Sequence, residues 1–332
     1  MNKDQVNYNN YFDRIRISDG VEKCREVFSA ACEKSVQKTV NLLNDQLITF
    51  PCLFVLLPQI KALRLHSHLN SRNRAAAGIT DQILNMKDAS AGSGDYLSAN
   101  NESTHSALKW MLQTGCNEYD LDDSYKKVLD AVVSILINSY EDKSVLPVVC
   151  DMIFKRSGKE HNIHNLVWAF FRSGDPSALR LTAEHLQSDD QKEAELAGKL
   201  LGIDEENEGN EPGGKRKYQD YLSWLEENDP FLYFTGESLQ YAGKPKICEV
   251  DLKRKYLHKA NPSHTNEQIT HANSNEEKCL QAFEGLNNED KAALASYSSA
   301  MHTRNSSEWE KWITSSFDEQ VRSAKTAAGG KL

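Results

Sequence analysis

Two histidines have the spacing of a possible metal site. His161 and His164 are three residues apart, so on a helix they share one face, and Cys150 and Glu160 are further possible ligands. Zinc in proteins takes three or four convergent nitrogen, sulfur or oxygen ligands. The sequence offers no second element with paired ligands. We therefore expect surface or hydrogen-bonded histidines at these positions, with no bound metal and no cofactor.

Other motifs that occur in enzymes are incomplete in this chain. Ser35 and Lys38 have the S-x-x-K spacing of some acyl-transfer enzymes, without the partner motifs that such enzymes carry. The glycines at 92–94 and 213–214 lack the remaining residues of a phosphate-binding loop. The aspartates at 120–123 lack the glycine and the distal glutamate of a calcium loop. The sequence therefore predicts no catalytic constellation.

One short stretch concentrates positive charge and interleaves it with tyrosines. Such a cluster can meet an acidic partner or a phosphate backbone. A solvated helix face explains the same pattern, because runs of charge usually lie at the surface. We name Lys253 and Arg254 as candidates for binding a partner. The cluster consists of Lys244, Lys246, Lys253, Arg254, Lys255 and Lys259, with Tyr241 and Tyr256 between them.

Two tryptophans mark the last predicted helix, 307–325. Trp309 and Trp312 fall on one face of this helix together with Phe317 and Val321. This pattern suits a buried core stripe or an anchor helix that fits the groove of a partner. We favour the core, because a terminal helix usually stays ordered only by docking on its own domain.

The elements that position these residues are predicted to be helices, and residues 173–202 show the pattern most fully. Asp175 is a good N-cap, and Pro176 stands at the first helical position, where its missing N–H costs nothing. Apolar residues then recur at three- and four-residue steps in two stripes, and Gly202 ends the second. Stripes this narrow form no core alone, so the helical pair needs similar neighbours stacked on both sides.

The same stretch resembles the short bacterial HEAT-like repeat. Lys192 and Glu193 stand where that family usually has a Val-Arg pair. Leu146 precedes Leu179 by 33 residues, the spacing of equivalent positions in successive units. The resemblance implies an α-solenoid and usually a protein-binding surface, although a few HEAT-like proteins are enzymes. It rests on Gly174, Asp175, Pro176, Ala178, Leu179, Leu186, Asp189, Ala194, Ala197, Leu201 and Gly202.

The chain as a whole is predicted to be all-α, with a short HEAT-like repeat array at its centre. Small and polar residues separate an amino-terminal helical cap, 1–86, from this array by a loop, 87–103. The array covers 104–202. Five carboxylates, a proline and three glycines then form an acidic linker, 203–217. A smaller carboxy-terminal helical domain, 218–326, comes next and begins with a local concentration of aromatic residues.

Several helix bounds can be predicted from the apolar periodicity and the prolines. Residues 1–19 are predicted to be a loosely ordered arm, and one helical stripe runs from Val21 to about Gln46. Pro51 is expected to end or kink the helical segment around it, and a second helix is expected from Pro58 to about residue 68. In the carboxy-terminal domain, a helix is predicted near 249–259.

Composition bounds the class of protein. The 332 residues include 39 Lys and Arg against 48 Asp and Glu, a net charge of −9, which argues against a protein that coats nucleic acid or a membrane surface. Seven widely spaced cysteines without a C-x-x-C pair indicate reduced thiols and a cytoplasmic protein. The most apolar run, 47–60, is interrupted by two prolines and is too short for a membrane span or a signal sequence.

The sequence supports two functional hypotheses from different classes. The first is a non-enzymatic adaptor or assembly component that binds protein partners through helical-repeat surfaces. The second comes from the resemblance, since some HEAT-like proteins are DNA glycosylases for alkylated bases; Trp168, Arg172 and Asp175 would serve in that role. Residues 104–202 carry 11 Lys and Arg against 15 Asp and Glu, whereas phosphate tracking needs an excess of positive charge. We favour the adaptor. Its candidate partner-binding residues are Trp168, Arg172, Lys253, Arg254, Trp309 and Trp312.

Overall fold

A computed structural model shows an all-α protein that divides into two compact units, Met1–Ser173 and Gly174–Leu332. The structure describes residues 10–85, 101–203, 214–239, 245–266, 268–269 and 274–329. Within these ranges, one short two-stranded ribbon is the only β-structure. The unit boundary falls inside the predicted array 104–202, and the predicted domain limits stay a prediction.

The amino-terminal unit is built from helices that pack mainly against near neighbours in sequence. α2 contacts α3 and α4, α4 contacts α5 and α6, and α7 packs on α5, α6 and α9. Local packing of this kind is compatible with a helical-repeat fold. The helices are α1 Tyr11–Asp19, α2 Val21–Lys34, α3 Val36–Leu43, α4 Phe50–Ala62, α5 Ser71–Leu84, α6 Glu102–Gly115, α7 Asp123–Asn138, α8 Leu146–Gly158 and α9 His164–Arg172.

Side-chain caps set several helix starts in this unit and correct the sequence-based bounds. The predicted stripe from 21 to 46 is two helices, because Ser35 leaves helical geometry and caps α3 through its hydroxyl. Thr49 caps α4, so Pro51 lies in the first turn and starts this helix instead of ending it. Pro58 lies inside α4. The predicted arm is also wrong for residues 11–19, which form α1.

A buried polar cluster ties α1 to the start of α4. The carboxylate of Asp13 accepts hydrogen bonds from the Thr49 amide at 2.9 Å and from its hydroxyl at 2.6 Å. Arg16 is buried, and its Nη1 lies 2.5 Å from Glu118 Oε2. Burial raises the pKa of Asp13, against the opposing effect of the hydrogen bonds from Thr49 and of Arg16. The cluster therefore contains charged side chains in the core, and each of them has an oppositely charged neighbour.

The carboxy-terminal unit combines helices with the short ribbon. Strands β1 Leu232–Phe234 and β2 Cys248–Val250 are antiparallel, and Tyr233 lies opposite Glu249. α15 is central, since it contacts α13, α16 and α17. The helices are α10 Pro176–Glu184, α11 Gln191–Leu201, α12 Gly214–Asn228, α13 Leu252–Leu257, α14 Ser274–Glu284, α15 Asn288–Arg304, α16 Ser306–Ile313 and α17 Phe317–Gly329.

The helical pair predicted within residues 173–202 begins at Pro176 and ends at Gly202, as the sequence predicts. Asp175 caps α10 by accepting from the Ser177 amide at 2.8 Å, and Pro176 is the first residue of this helix. Leu179 is completely buried. Gly202 ends α11 at a positive φ of 68°, which glycine adopts without a steric penalty.

Elsewhere in this unit the structure differs from the predicted helices. The region 249–259 begins with β2, and a helix starts only at Leu252. The predicted closing helix is broken at 314–316 into α16 and α17, and its N-cap is Asn305, whose side chain accepts from the Glu308 amide at 3.2 Å. Parts of the predicted loop 87–103 and linker 203–217 lie outside the described residues, and α12 starts at Gly214.

Candidate binding groove

The predicted pair of Trp168 and Arg172 lies together on α9. The guanidinium of Arg172 stacks over the indole of Trp168 at 4.9 Å from the ring centroid, and Arg172 is exposed. This cation–π contact covers one face of the indole. Asp175 belongs to the other unit, where its carboxylate caps α10. The structure thus gives this carboxylate a role in helix capping.

The predicted histidine pair does not share a helix face. His164 is the exposed first residue of α9, whereas His161 is partly buried in the connection that precedes this helix. Cys150 is buried on α8. Across the residues that the structure describes, no three His, Cys, Asp or Glu side chains are grouped so that they could hold a metal ion. All seven cysteines carry free thiols.

A Ser-His-Asp-Lys cluster that sequence reasoning missed joins α6 to the start of α8. Asp142 accepts from Ser144 Oγ at 2.5 Å, and its carboxylate lies 2.8 Å from His105 Nε2 and 3.0 Å from Lys109 Nζ. Burial opposes ionisation of Asp142, but hydrogen bonds from Ser144, Lys109 and His105 outweigh it and lower its pKa to about 2. Catalytic use of Ser144 would need its hydroxyl to donate to a base, as in a triad, where the histidine contacts the nucleophile. Here His105 and Ser144 both bond to Asp142, which fits a structural cluster.

The basic stretch, apart from Tyr241 and Lys244, which lie outside the described residues, is largely paired within the molecule, and the burial of Arg254 and Lys255 corrects its interpretation as a solvated helix face. Arg254 is buried, lies 3.4 Å from Asp251 and donates to the Ala260 carbonyl. Lys255 is only 3% exposed, and its ammonium contacts Glu227 at 2.7 Å and Asn228 Oδ1 at 2.8 Å. Arg254 and Lys255 therefore form ion pairs within the carboxy-terminal unit. Lys253 remains exposed.

The predicted tryptophans of the closing segment pack inside the carboxy-terminal unit. Trp312 is 8% exposed and belongs to a core cluster with Tyr256 and Phe283. Trp309 is partly buried against this cluster, and its Nε1 donates to Ser298 Oγ at 2.8 Å. Because the segment is broken, Phe317 lies on α17 and not on the helix of the tryptophans. The core interpretation agrees with these positions.

An open groove of about 560 Å³ lies where the ribbon, α13, α14 and the start of α15 meet. Its apolar floor is formed by three partly buried side chains at the edge of the core cluster and by the buried ring of Phe283. Asp251 sets its geometry, since its side chain caps α13 and thereby fixes the direction of Lys253. Asn287 caps α15 and places Lys291 in the first turn. The floor residues are Leu252, Ile269, Leu280 and Phe283.

The rim of the groove is polar. Lys253 forms an ion pair with Glu284, and Lys291 lines the same rim. The hydrogen bond and charge of Lys253, with the charge of Lys291, lower the pKa of the Glu284 carboxyl. The exposed amides of Asn266 and Gln268 stand at another part of the lining. Such a lining can hold an apolar side chain on its floor and bond polar groups above it.

A second cavity of about 500 Å³ lies in the same unit, beside a stacked histidine pair. The rings of His258 and His302 are 3.5 Å apart between centroids, with 21° between their planes. His258 closes α13 at a positive φ of 51°. Burial, and then the neighbouring His302, lower the pKa of His258. The uncharged imidazole of His258 is therefore favoured.

Comparison with known protein families, curated proteins and solved structures finds no match to this chain. The observed packing of many helices is compatible with a helical-repeat fold, and the structure supports the resemblance at that level only. None of the helices within the described ranges has the length and apolar character needed to cross a membrane.

Sequence reasoning found one residue of the groove, Lys253, and missed the others. Asp251 before a short apolar and basic run is an N-cap signal that would have moved the predicted helix start from 249 to 252. No local signal brings Ile269 against the core cluster, because that contact depends on tertiary packing.

Proposed function

We propose that this protein is a non-enzymatic adaptor of the cytoplasm that binds a partner protein through the groove of its carboxy-terminal unit. The observation that carries the proposal is the open apolar floor of Leu252, Ile269 and Leu280 beneath a polar rim. Uncovered apolar side chains gathered in one concave site are typical of places where another molecule binds. The free thiols of all seven cysteines support a reducing compartment.

The chemistry of the groove supports binding more than catalysis. Lys253 and Glu284 form an ion pair with each other, and Asp251 is engaged in capping and with Arg254. A general acid or base needs a titratable group held toward a reacting atom at a suitable pKa. Groups that neutralise one another at a rim instead select the charge and orientation of the bound molecule.

We also propose, from the sequence pattern, that the helices between residues 104 and 202 are HEAT-like repeats that offer a second protein-binding surface. Trp168 and Arg172 are the candidate contact residues on α9. Two such surfaces on one chain would let an adaptor engage one assembly at two points and gain effective concentration.

Selection of random peptides displayed on phage against the full chain tests the function. We expect selected peptides to bind the wild-type chain and to lose binding to Ile269→Asp, which places a carboxylate on the apolar floor. Ile269→Leu is the matched control, since it keeps an apolar side chain of the same size. Thermal melts check that all three chains fold. Peptides that bind the Ile269→Asp variant as tightly as the wild type would refute the groove as the binding site.

A further inference from the structure

We propose that the groove takes a short peptide segment in which a bulky apolar side chain stands next to a carboxylate. This inference rests on the proposed function and specifies the chemistry of the partner. The apolar side chain would lie on the floor, and the carboxylate would bind at the Lys291 side of the rim.

One cation of the rim, Lys291, lies outside the ion pairs of the described residues. Asp251 lies 3.4 Å from Arg254 Nε, and Glu284 is paired with Lys253. Lys291 lines the same groove and forms no ion pair with any residue in the described part of the chain. Counted together with the buried Arg254, which does not line the groove, the ion pairs balance, and Lys291, whose charge also lowers the pKa of Glu284, supplies the surplus positive charge. A single carboxylate is the complementary group.

The floor and the lining amides favour a peptide over a small anion. The partly buried side chains of Leu252, Ile269 and Leu280 offer apolar surface that an inorganic anion cannot cover. The exposed amides of Asn266 and Gln268 each provide both a donor and an acceptor, which matches the N–H and C=O groups of a peptide backbone.

The open form of the site separates a peptide from a free fatty acid, which also joins an apolar chain to a carboxylate. Four of the lining residues are exposed, namely Lys253, Asn266, Gln268 and Glu284. A long acyl chain would remain largely in water on such a surface, whereas a peptide places one apolar side chain in the groove and keeps its polar backbone near the rim.

Fluorescence anisotropy with four labelled octapeptides tests the inference on the full-length chain. The peptides are acetylated and amidated, carry Gly and Ser at the outer positions, and contain Phe-Asp, Phe-Asn, Phe-Lys or Ala-Asp at the centre. We expect Phe-Asp to bind about tenfold more tightly than Phe-Asn or Ala-Asp, corresponding to about 1.4 kcal/mol for each lost contact. Phe-Lys should bind more weakly still.

Charge reversal gives the sharper comparison. Lys291→Glu should shift the preference from Phe-Asp to Phe-Lys, while Lys311→Glu, an exposed site on α16 outside the groove, should leave the preference unchanged. Phe-Asp and Phe-Asn could bind equally well to the wild-type chain and lose binding in Ile269→Asp. This result would refute the need for a carboxylate in the peptide, while the groove would still be the binding site. Binding of all peptides that persists in Ile269→Asp would refute the proposed function itself. Tight binding of dodecanoate with no binding of Phe-Asp would refute the peptide as the ligand and identify a fatty acid instead.

Discussion

Arg16 is buried between two carboxylates in the amino-terminal unit. Its Nη1 contacts Glu118, and its Nη2 lies 3.6 Å from Asp13, which itself binds the start of α4. Burial opposes the charge on Arg16, but Glu118, and then Asp13, outweigh it, and the pKa of the guanidinium is raised. This residue therefore neutralises charge that the fold has removed from water.

We predict that Arg16→Leu lowers the free energy of unfolding by about 3–5 kcal/mol, because it leaves the carboxylate of Asp13 buried without its cation. Chemical denaturation followed by circular dichroism measures the change. Lys23→Leu, at an exposed lysine of α2, is the matched control and should leave the free energy of unfolding nearly unchanged. Equal effects of the two substitutions would show that Arg16 is not the buried partner described here.

His258 predicts how stability depends on pH. Its pKa is lowered from 6.5, first by burial and then by His302, so the folded chain favours the uncharged ring and the unfolded chain binds the proton more readily. The contribution of His258 to the free energy of unfolding is therefore fully present above about pH 6.5, and it is lost as pH falls below that value. Melting temperatures measured between about pH 7 and pH 5 should show this decline.

The His258→Asn variant distinguishes the contribution of His258 to the pH dependence of stability from the contributions of the other histidines. Asparagine tolerates the left-handed backbone that His258 adopts, and it does not titrate in this range. The variant should lose less melting temperature on acidification than the wild-type chain does. If both chains lose the same amount, the stacked pair is not a source of the pH dependence.

At the scale of elements, local signals set the starts of helices more reliably than apolar stripes set their lengths. Asp175 caps α10, the helix that its position predicts, and Asp122 caps α7 in the same way. The stripe from 21 to 46 gives the correct face but hides a break at Ser35, because α2 and α3 both present apolar residues to the same core. A side chain that can cap marks such breaks only when the backbone leaves helical geometry there.

The groove shows the limits of sequence patterns. The apolar residues near 252 fall in the predicted helix 249–259, and the structure places residues 252 and 280 on helices. Their use as the floor of an open site depends on the antiparallel ribbon and on the approach of Ile269, which join parts of the chain far apart in sequence. The periodicity of apolar residues identifies the apolar face of a helix, but it does not show whether other elements of the fold bury that face completely.

The break between α15 and α16 gives a test at this scale. Asn305→Ala should cost about 1 kcal/mol, since the Asn305 side chain caps α16. Ser307→Ala, at the first residue of the predicted closing helix, should change stability by about 0.5 kcal/mol or less. Urea denaturation of the two variants decides between them. A larger loss in Ser307→Ala would place the start of the closing helix at Ser307 instead of Asn305.

For the molecule as a whole, the distribution of charge favours the proposed adaptor over a protein that binds polyanions in general. The net charge of −9 is spread over a chain whose main basic stretch is largely used inside its own fold. Arg254 and Lys255 are buried in that stretch. Counterion release from nucleic acid requires exposed cations in excess, so the proposed adaptor role agrees better with this distribution.

Hydrogen–deuterium exchange of the full chain, with and without the Phe-Asp peptide, tests the location of binding most directly. We predict slower exchange in fragments that cover α13, α14 and the first turn of α15, and unchanged exchange in α9. Ile269→Asp should show no peptide-dependent change in any of these fragments. Protection by bound peptide that is confined to α9, with none at α13 or α14, would contradict the groove as the site at which this protein meets its partner.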